Sequence, residues 1–274
     1  MFDCHVHAAP DVVDRIGDDR DVLEAYEAAG ASGFVLKGHY ESTVGRAQSL
    51  ARQSGLAVVG GVTLNHPAGG INPAAVAAAL GAGGRVIWMP TADAHTQERA
   101  RLPRLCDIEG RLDRAVLAVP PVDPTAEAAT NIVLALIADH DAALATGHLS
   151  GPECQWLLQR ARHYGISRVL LTHPSYTVPG LDPAAIAELA EAGGFVEITA
   201  YQLLHQPGCT AVMLADVVRA AGLRLVLSSD AGQPDSPPPP QALSRLVDEL
   251  EAQGVDRGLL EAAASSVPAE LILA

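Results

Sequence analysis

Lysine is almost missing from this chain of 274 residues: Lys37 is the only one, whereas arginine supplies the other 17 of the 18 basic residues. Acidic residues outnumber basic ones by 32 to 18, which gives a net charge of −14. A chain this acidic is repelled by phosphate-rich surfaces, so we expect neither nucleic acid nor an anionic membrane as a partner. The single lysine lies in the apolar run VLKGHY, residues 35–40, and its retention there requires an explanation.

Cysteines are few, and long apolar runs are missing. The four cysteines are scattered without a CxxC pair, which is typical of free thiols in a cytosolic protein. Although apolar residues make up 49% of the chain, no apolar run reaches the roughly 18–20 residues that span a membrane. The first residues show no basic segment followed by an apolar one, so the sequence predicts a cytoplasmic protein without a secretory signal.

Short apolar runs of strand type alternate with segments of helix type along the whole chain. The predicted strands cover residues 2–6, 33–37, 56–64, 85–90, 142–147, 168–172, 194–199 and 223–229. The predicted helices cover about residues 20–30, 43–54, 73–82, 125–140, 152–164, 183–192, 210–221 and 241–253. Asn72-Pro73 and Asp182-Pro183 each place a capping side chain before a proline suited to the first helical turn. Eight strands that each precede a helix predict an α/β protein, a (β/α)8 TIM-type barrel formed by one domain over residues 1–274.

The connection after the fourth strand, residues 91–124, is too long for a simple barrel loop. Within it, LCDIEGRLDRAVLAV (105–119) predicts two short strands around Glu109-Gly110, and therefore a hairpin flap over the barrel mouth. The connection also carries five arginines, namely Arg99, Arg101, Arg104, Arg111 and Arg114. These arginines fit either a solvated surface or a lid that meets an anionic substrate.

Imidazole and carboxylate side chains stand at the ends of four predicted strands. Strand 1 ends in HVH, which places His5 and His7 on one face, because side chains alternate along a strand. Strands 5, 6 and 8 end in TGH, LTH and SSD, which contain His148, His173 and Asp230. Active sites of such barrels lie at the carboxyl ends of the strands. Nitrogen and oxygen ligands that converge there with an open position indicate a catalytic metal site of the zinc type.

These motifs and their order resemble the amidohydrolase superfamily of metal-dependent hydrolases, with its phosphotriesterase-like and dihydroorotase-like barrels. The resemblance covers nearly the whole chain. It implies that His5, His7 and Asp230 hold one divalent metal and that His148 and His173 hold a second. It also implies that Asp230 takes a proton from the attacking water and passes it to the leaving group.

Lys37 ends the second strand and suggests why one lysine is kept. In the family a carboxylated lysine often bridges the two metals, but it usually lies on strand 4, where this chain has WMPT and no ligand. A neutral amine can react with CO2 to give an anionic carbamate, whereas arginine cannot be deprotonated in a protein. We therefore expect Lys37 to bridge the metals as a carbamate. The alternative is an unmodified Lys37 whose ammonium group holds a substrate carboxylate.

Other residues near the mouth are weaker candidates. Those that would bind substrate are His39, Tyr40 and Arg46 after strand 2, and Asn65 and His66 after strand 3. Asp3 is expected on the face of strand 1 that carries His5 and His7, where it would orient a ligand imidazole, with Cys4 on the opposite face. Surface positions are expected for three further histidines, His95, His140 and His163.

The sequence therefore predicts a metal-dependent hydrolase acting on a small molecule, which would be anionic if the flap arginines contact it. We expect cleavage of a cyclic or linear amide, with a lactone or a phosphoester as close alternatives, because the same chemistry serves all three. Two zinc ions are expected, and manganese, iron or cobalt suit the same ligands. A mononuclear, non-hydrolytic enzyme such as a decarboxylase is a second interpretation, and a non-catalytic metal-stabilised binding protein is a third. Assembly into a homo-oligomer is left open.

Overall fold

The computed structural model describes residues 1–102, 105 and 116–274, and at its centre lies a parallel sheet of eight strands. The strands are neighbours in chain order from β1 to β8. Their bounds are β1 (Phe2–Val6), β2 (Gly33–Leu36), β3 (Ala57–Thr63), β4 (Val86–Trp88), β5 (Ala143–Ala145), β6 (Val169–Leu171), β7 (Phe195–Thr199) and β8 (Leu225–Ser228). All eight lie inside the ranges predicted from the sequence.

The sheet closes into a barrel because β1 and β8 also meet. The amide of Asp230 donates to the carbonyl of His5 at 2.8 Å, and the amide of His7 donates to the carbonyl of Ala231 at 2.9 Å. A parallel bridge joins Val6 and Ala231 in the same seam. Every strand therefore has a neighbour on both sides, as a closed barrel requires, and the predicted (β/α)8 fold is confirmed.

Helices cover the outside of the barrel between the strands. They are α1 (Asp19–Ala28), α2 (Val44–Ala51), α3 (Pro73–Gly81), α4 (His95–Arg99), α5 (Glu127–Asp139), α6 (Gly151–His163), α7 (Pro183–Glu191), α8 (Ala200–His205), α9 (Ala211–Ala221), α10 (Pro239–Ala252), α11 (Arg257–Ala263) and α12 (Ser266–Leu273). The predicted caps are confirmed, since Asn72 accepts from the amide of Ala74 and Asp182 accepts from the amide of Ala185. Over the described ranges, none of these helices has the length and apolarity needed to cross a membrane.

Four short helices were not predicted: α4, α8, α11 and α12. Helix α8 follows β7 directly, because the Thr199 side chain accepts from the amide of Gln202 and caps the first turn of the helix. Helix α12 packs Leu271 and Ile272 against Phe2 at the amino-terminal end of the strands. The apolar interior is thus sealed at that end, and polar side chains are concentrated at the other.

An irregularity in β1 corrects the prediction for Asp3 and Cys4. The pairing of β1 with β2 shifts register between Asp3 and Val6, so strict alternation of side chains does not hold there. Cys4 packs inside the barrel with Val35 and Trp88. Asp3 turns instead toward α1, where it accepts a hydrogen bond from the hydroxyl of Tyr26 at 2.5 Å.

Asp3 nevertheless supports the site through the backbone. One carboxylate oxygen accepts from the amides of His5 and Ser229, each at 3.1 Å, so it joins the ends of β1 and β8. Burial raises the pKa of Asp3 to about 6, an effect that hydrogen bonds from Tyr26 and Ser229 oppose. Asp3 therefore orients the strand that carries the HxH pair and contacts no imidazole directly.

The long connection after β4 begins with a helix. In its described part, Leu117 returns beside Ala94 in a parallel bridge, and the amide of His95 donates to the carbonyl of Leu117 at 2.9 Å. His95 was expected at the surface, but it is buried, with Nε2 2.6 Å from a carboxylate oxygen of Glu153 on α6. The predicted hairpin around Glu109-Gly110 lies outside the described residues.

The hydrogen bond between Tyr26 and Asp3 should contribute measurably to stability. Tyr26→Phe removes a buried donor to a buried carboxylate, so the free energy of unfolding should fall by about 1–3 kcal/mol. Tyr164→Phe, at a partly exposed ring, is the matched control and should cost less than about 0.5 kcal/mol. Urea titration followed by circular dichroism measures both changes. Equal stabilities for the two variants would show that the hydroxyl of Tyr26 does not support the strand ends.

Candidate metal centre

The six residues predicted as metal ligands line one cavity at the carboxyl ends of the strands. The cavity measures about 180 Å³. The six are His5, His7, Lys37, His148, His173 and Asp230. They come from β1, from the end of β2 and from the loops that follow β5, β6 and β8, so the barrel gathers residues that are far apart in the sequence.

His5, His7 and Asp230 form the tightest cluster of this cavity. The Oδ1 atom of Asp230 lies 3.1 Å from Nε2 of His5 and 3.2 Å from Nε2 of His7. His173 approaches the other oxygen, with its Nε2 atom 3.9 Å from Oδ2 of Asp230. One donor atom from each of His5, His7 and Asp230 lies within 4.8 Å of the others, a spacing that suits a metal ion.

The backbone is strained where two of these side chains enter the cavity. His173 has a φ angle of 26° and Asp230 one of 47°, in the left-handed region that residues other than glycine rarely occupy. Such strain costs free energy and persists where the surrounding structure imposes it, often at functional sites. Here the barrel imposes it at the ends of β6 and β8.

Glu197 on β7 is a candidate functional residue that the sequence analysis did not name. It is fully buried, and its Oε1 atom lies 3.0 Å from Nδ1 of His5 and accepts from the hydroxyl of Ser228 at 2.6 Å. Its other oxygen accepts from the amide of His173 at 3.0 Å. A carboxylate on one imidazole nitrogen fixes the tautomer and leaves the other nitrogen for a metal. The sequence did contain a sign of this role, because Glu197 is the one acidic residue in the otherwise apolar strand FVEIT.

Helix α4 orients the imidazole of His148 in a similar way. The Nδ1 atom of His148 lies 3.1 Å from Oε1 of Gln97, and the hydroxyl of Thr96 donates to the carbonyl of His148 at 2.5 Å. Because the amide oxygen of Gln97 can only accept, His148 carries its proton on Nδ1 and keeps Nε2 free. The ring of His148 lies 5.1 Å from that of His173, between centroids.

Lys37 is buried at the cavity wall, with its Nζ atom 5.8 Å from the centre of the Trp88 ring. Burial lowers the pKa of the Lys37 amine to about 8, although the negative charges of Asp230 and Glu197 oppose the shift. A larger fraction of the amine is therefore neutral near pH 7 than for a lysine in water. This is the state that carboxylation by CO2 requires.

The electrostatics of the cluster demand a cation. Burial alone would lower the pKa of His5, but the charges of Asp230 and Glu197 raise it to about 9. Burial lowers the pKa values of His7, His148 and His173, so these three imidazoles are neutral. A protonated His5 faces Glu197 through Nδ1 and Asp230 through Nε2, and a divalent metal on Nε2 would replace the proton on the Asp230 side. Neutral imidazoles and ionised carboxylates are the forms that bind metals, so the donor set fits a metal ion.

Two of the weaker candidates are placed near the ligands or support them. His39 lines the cavity, with its ring parallel to that of His7 and 4.7 Å away. Asn65 is fully buried, donates to the carbonyl of His39 at 2.9 Å and accepts from the amide of Thr91 at 2.8 Å. Asn65 therefore holds the loop after β2 in place. Of the two residues, His39 is the one that lines the cavity and remains the candidate for substrate contact.

The remaining weaker candidates do not line the cavity. Arg46 binds Asp19 and Glu41 and the carbonyls of Ala8 and Pro10, which gives it a bracing function. His66 is exposed, and Tyr40 lies partly buried outside the lining. The cavity is also lined by Tyr176 and Tyr201, and by Arg15, Gln97 and Gln233, which the sequence analysis did not single out. These residues lie in loops or short helices, so no periodic sequence pattern indicates which way their side chains point.

The comparison with family models assigns the chain to a family. A model described as "Family of unknown function (DUF6282)" matches residues 1–197, which include all the candidate ligands except Asp230. The chain belongs to this family. No curated protein matches the chain in sequence.

Solved structures of low sequence identity share the fold of this DUF6282 protein. An organophosphorus hydrolase from Deinococcus radiodurans aligns with a TM-score of 0.64 and 14% identity, over 99% of this chain and 91% of its own. An amidohydrolase from Pseudomonas aeruginosa aligns at 0.58 and 10%, over 99% and 96%. A TatD homologue from Escherichia coli K12 aligns at 0.57 and 15%, over 100% and 98%. The resemblance to amidohydrolase-superfamily barrels is therefore confirmed for the fold.

Glu197 should control metal affinity without contacting substrate. Glu197→Gln keeps the size of the side chain but removes the charge beside Nδ1 of His5, so metal affinity should fall roughly 10- to 100-fold. Competition against a chromogenic zinc chelator measures the affinity. Glu191→Gln, at an exposed glutamate of α7, is the control and should match the wild type. Unchanged affinity in Glu197→Gln would remove this carboxylate from the metal centre.

Proposed function

We propose that this protein is a metal-dependent hydrolase that cleaves the C–N bond of a small cyclic or linear amide, or the acyl C–O bond of a lactone. The observation that carries the proposal is the Asp230 carboxylate held between Nε2 of His5 and Nε2 of His7 on the wall of the cavity. Shared fold with the amidohydrolase and organophosphorus hydrolase structures supports the class of reaction. The bond that is cleaved is our inference from the site.

The residues divide into two sets of metal ligands. His5, His7 and Asp230 would hold one divalent metal, zinc in the first instance, and His148 and His173 would hold a second. Bound there, the metals would polarise the carbonyl group and lower the pKa of water. The orphaned nitrogen atoms of the cluster support this assignment, because Nε2 of His5 and Nδ1 of His173 are buried without a hydrogen-bond partner among the described residues.

Asp230 would move the proton of the reaction. Burial raises its pKa, but the neighbouring His5 holds it well below the usual range, so the carboxylate is ionised and can accept a proton. As water adds to the carbonyl carbon, one proton passes to Asp230. When the C–N or C–O bond breaks, Asp230 returns this proton to the leaving nitrogen or oxygen. Water is thus divided between the two products, and Asp230 ends in its starting state.

Lys37 would complete the centre as a carbamate. Its neutral amine adds to CO2, a nitrogen–carbon bond forms, and one proton is released. The product is an anionic group with two oxygen atoms, which can bind two cations at once. Its place at the end of β2 differs from the usual strand 4, but the closed barrel directs both strand ends into the same space, and Lys37 lines the same cavity as the other ligands.

Phosphoester hydrolysis is a second candidate function. The observation in its favour is the structural likeness to the organophosphorus hydrolase from Deinococcus radiodurans. The same ligands and the same Asp230 serve a phosphoryl centre equally well. Substrate tests should therefore include one ester of phosphate beside the carbonyl compounds.

The role of Asp230 is tested by Asp230→Asn on a hydantoin, a γ-lactone and a phosphodiester. The wild type should hydrolyse at least one of them, and the variant should lose roughly 10²- to 10⁴-fold in kcat/KM, because it cannot accept a proton. Circular dichroism should show an unchanged fold. Asp235→Asn, at an aspartate whose side chain is 77% exposed, is the control and should keep full activity.

Two outcomes of that assay would go against the proposal. Full activity in Asp230→Asn would exclude Asp230 as the proton carrier. A fully metallated wild type that turns over none of the three compounds would favour a non-catalytic, metal-stabilised binding protein.

The metal-to-protein ratio tests the carbamate on Lys37. Elemental analysis of protein purified without chelators and with bicarbonate should give a ratio near two, and Lys37→Arg should lose one metal and most activity. Arginine keeps the length and charge of the side chain but cannot add CO2. Labelling with 13C-bicarbonate should also give a carbamate resonance in wild type alone. A fully active, fully metallated Lys37→Arg would rule the carbamate out, and a wild-type ratio near one would favour the mononuclear, non-hydrolytic alternative.

A further inference from the structure

The loop between β1 and α1, residues 7–18, is closed on itself beside the cavity. The amide of Ala9 donates to the carbonyl of Gly17 at 2.9 Å, which joins the two ends of the loop. Near the carboxyl end of the loop, the amide of Ile16 donates to the carbonyl of Gly232 at 2.8 Å, in the segment that follows Asp230. Arg46 of α2 adds hydrogen bonds to the carbonyls of Ala8 and Pro10, each at 2.9 Å. The loop therefore holds its side chains in fixed positions near the metal ligands.

Arg15 reaches the cavity from this loop. Its side chain is only 3% exposed and lines the cavity wall. Its Nε atom donates to Oδ2 of Asp11 at 2.8 Å, and its Nη2 atom lies 2.6 Å from the same oxygen. Asp11 is itself held, because Oδ1 accepts from the amide of Val12 at 2.6 Å. One edge of the guanidinium is thus fixed by Asp11.

One nitrogen of the guanidinium, Nη2, makes no hydrogen bond within the described part of the chain. Nη2 is buried, and its approach to Asp11 lacks hydrogen-bond geometry. A buried donor left without an acceptor costs free energy. Because Arg15 lines a cavity, an anionic ligand could supply that acceptor. Guanidinium groups bind carboxylates with paired, charge-assisted hydrogen bonds.

Two tyrosines give the cavity an aromatic wall. The ring of Tyr176 stands edge-on to His173, with centroids 5.2 Å apart, and edge-on to Tyr201, with centroids 5.8 Å apart. A cavity of about 150 Å³ holds a benzene molecule, so the present volume of about 180 Å³, part of which bound metals would fill, limits the substrate to a small compound. If Lys37 is a carbamate, Arg15 is the remaining Lys or Arg side chain in the lining that the structure describes.

We infer that Arg15 binds a carboxylate group of the substrate, so the centre prefers small, compact amides or lactones that carry one carboxylate over their neutral counterparts. This inference rests on the proposed hydrolase function and adds the substrate class to it. Asp11 is a positioning residue that directs Arg15, and Arg15 determines specificity. The carboxylate would lie on the β1–β8 side of the cavity and the planar part of the substrate against Tyr176.

Benzoate tests the inference by binding alone. Isothermal titration calorimetry on the metal-loaded protein should show binding of benzoate and at least tenfold weaker binding of benzamide, which has the same shape without the charge. Arg15→Gln should weaken benzoate binding roughly 10- to 100-fold, as expected for the loss of a charge-assisted bond. Arg20→Gln removes the same charge from an exposed arginine of α1 and should bind benzoate like the wild type. Metal content should be equal in all three proteins.

The double variant Asp11→Asn/Arg15→Gln removes both charges of the ion pair, so it keeps the test open if Arg15→Gln alone folds poorly. It too should lose benzoate binding. The inference is overturned if wild type ignores benzoate, if benzamide or inorganic phosphate binds as well as benzoate, or if folded, metal-loaded Arg15 variants bind benzoate normally. Failure of the hydrolase proposal looks different, because benzoate would then bind through Arg15 while no compound is turned over.

Discussion

The seam between β1 and β8 is the constraint on which the metal centre depends. His5 and Asp230 are separated by 225 positions in the chain, yet the amide of Asp230 donates directly to the carbonyl of His5. Asp3 strengthens the same seam by accepting from the amides of His5 and Ser229. A closed barrel fixes the relative position of these strand ends. The contact between the Asp230 carboxylate and the two imidazoles of the HxH pair is therefore a consequence of closure.

Closure of the barrel also buries negative charge that a bound metal ion would compensate. Two carboxylates, of Asp230 and Glu197, are buried within hydrogen-bond distance of the single imidazole of His5. Two buried carboxylates around one imidazole are costly unless a cation compensates their negative charge. Without metal, a proton on His5 performs that function, and its pKa is raised to about 9 for this reason.

Much of this could be predicted from sequence, and the exceptions have physical causes. All eight strands follow from short apolar runs, and the polar residues at the ends of five of these runs lie together in one cavity. Glu197 was missed because it lies in the middle of an apolar strand, where the sequence does not show whether a single polar residue points into the barrel. Arg15 was missed because loop residues follow no period. The register shift in β1 reversed the expected sides of Asp3 and Cys4, since alternation applies only where pairing is regular.

The two halves of the candidate centre are supported in different ways. His5, His7 and Asp230 are held by strand-to-strand hydrogen bonds of the seam. His148 depends in addition on α4, through Gln97 and Thr96, and α4 is anchored to α6 through His95 and Glu153. The described start of the connection after β4 is therefore part of the scaffold that holds His148. A change in α4 should therefore act on His148 first, because His5, His7 and Asp230 are held by hydrogen bonds between the ends of β1 and β8.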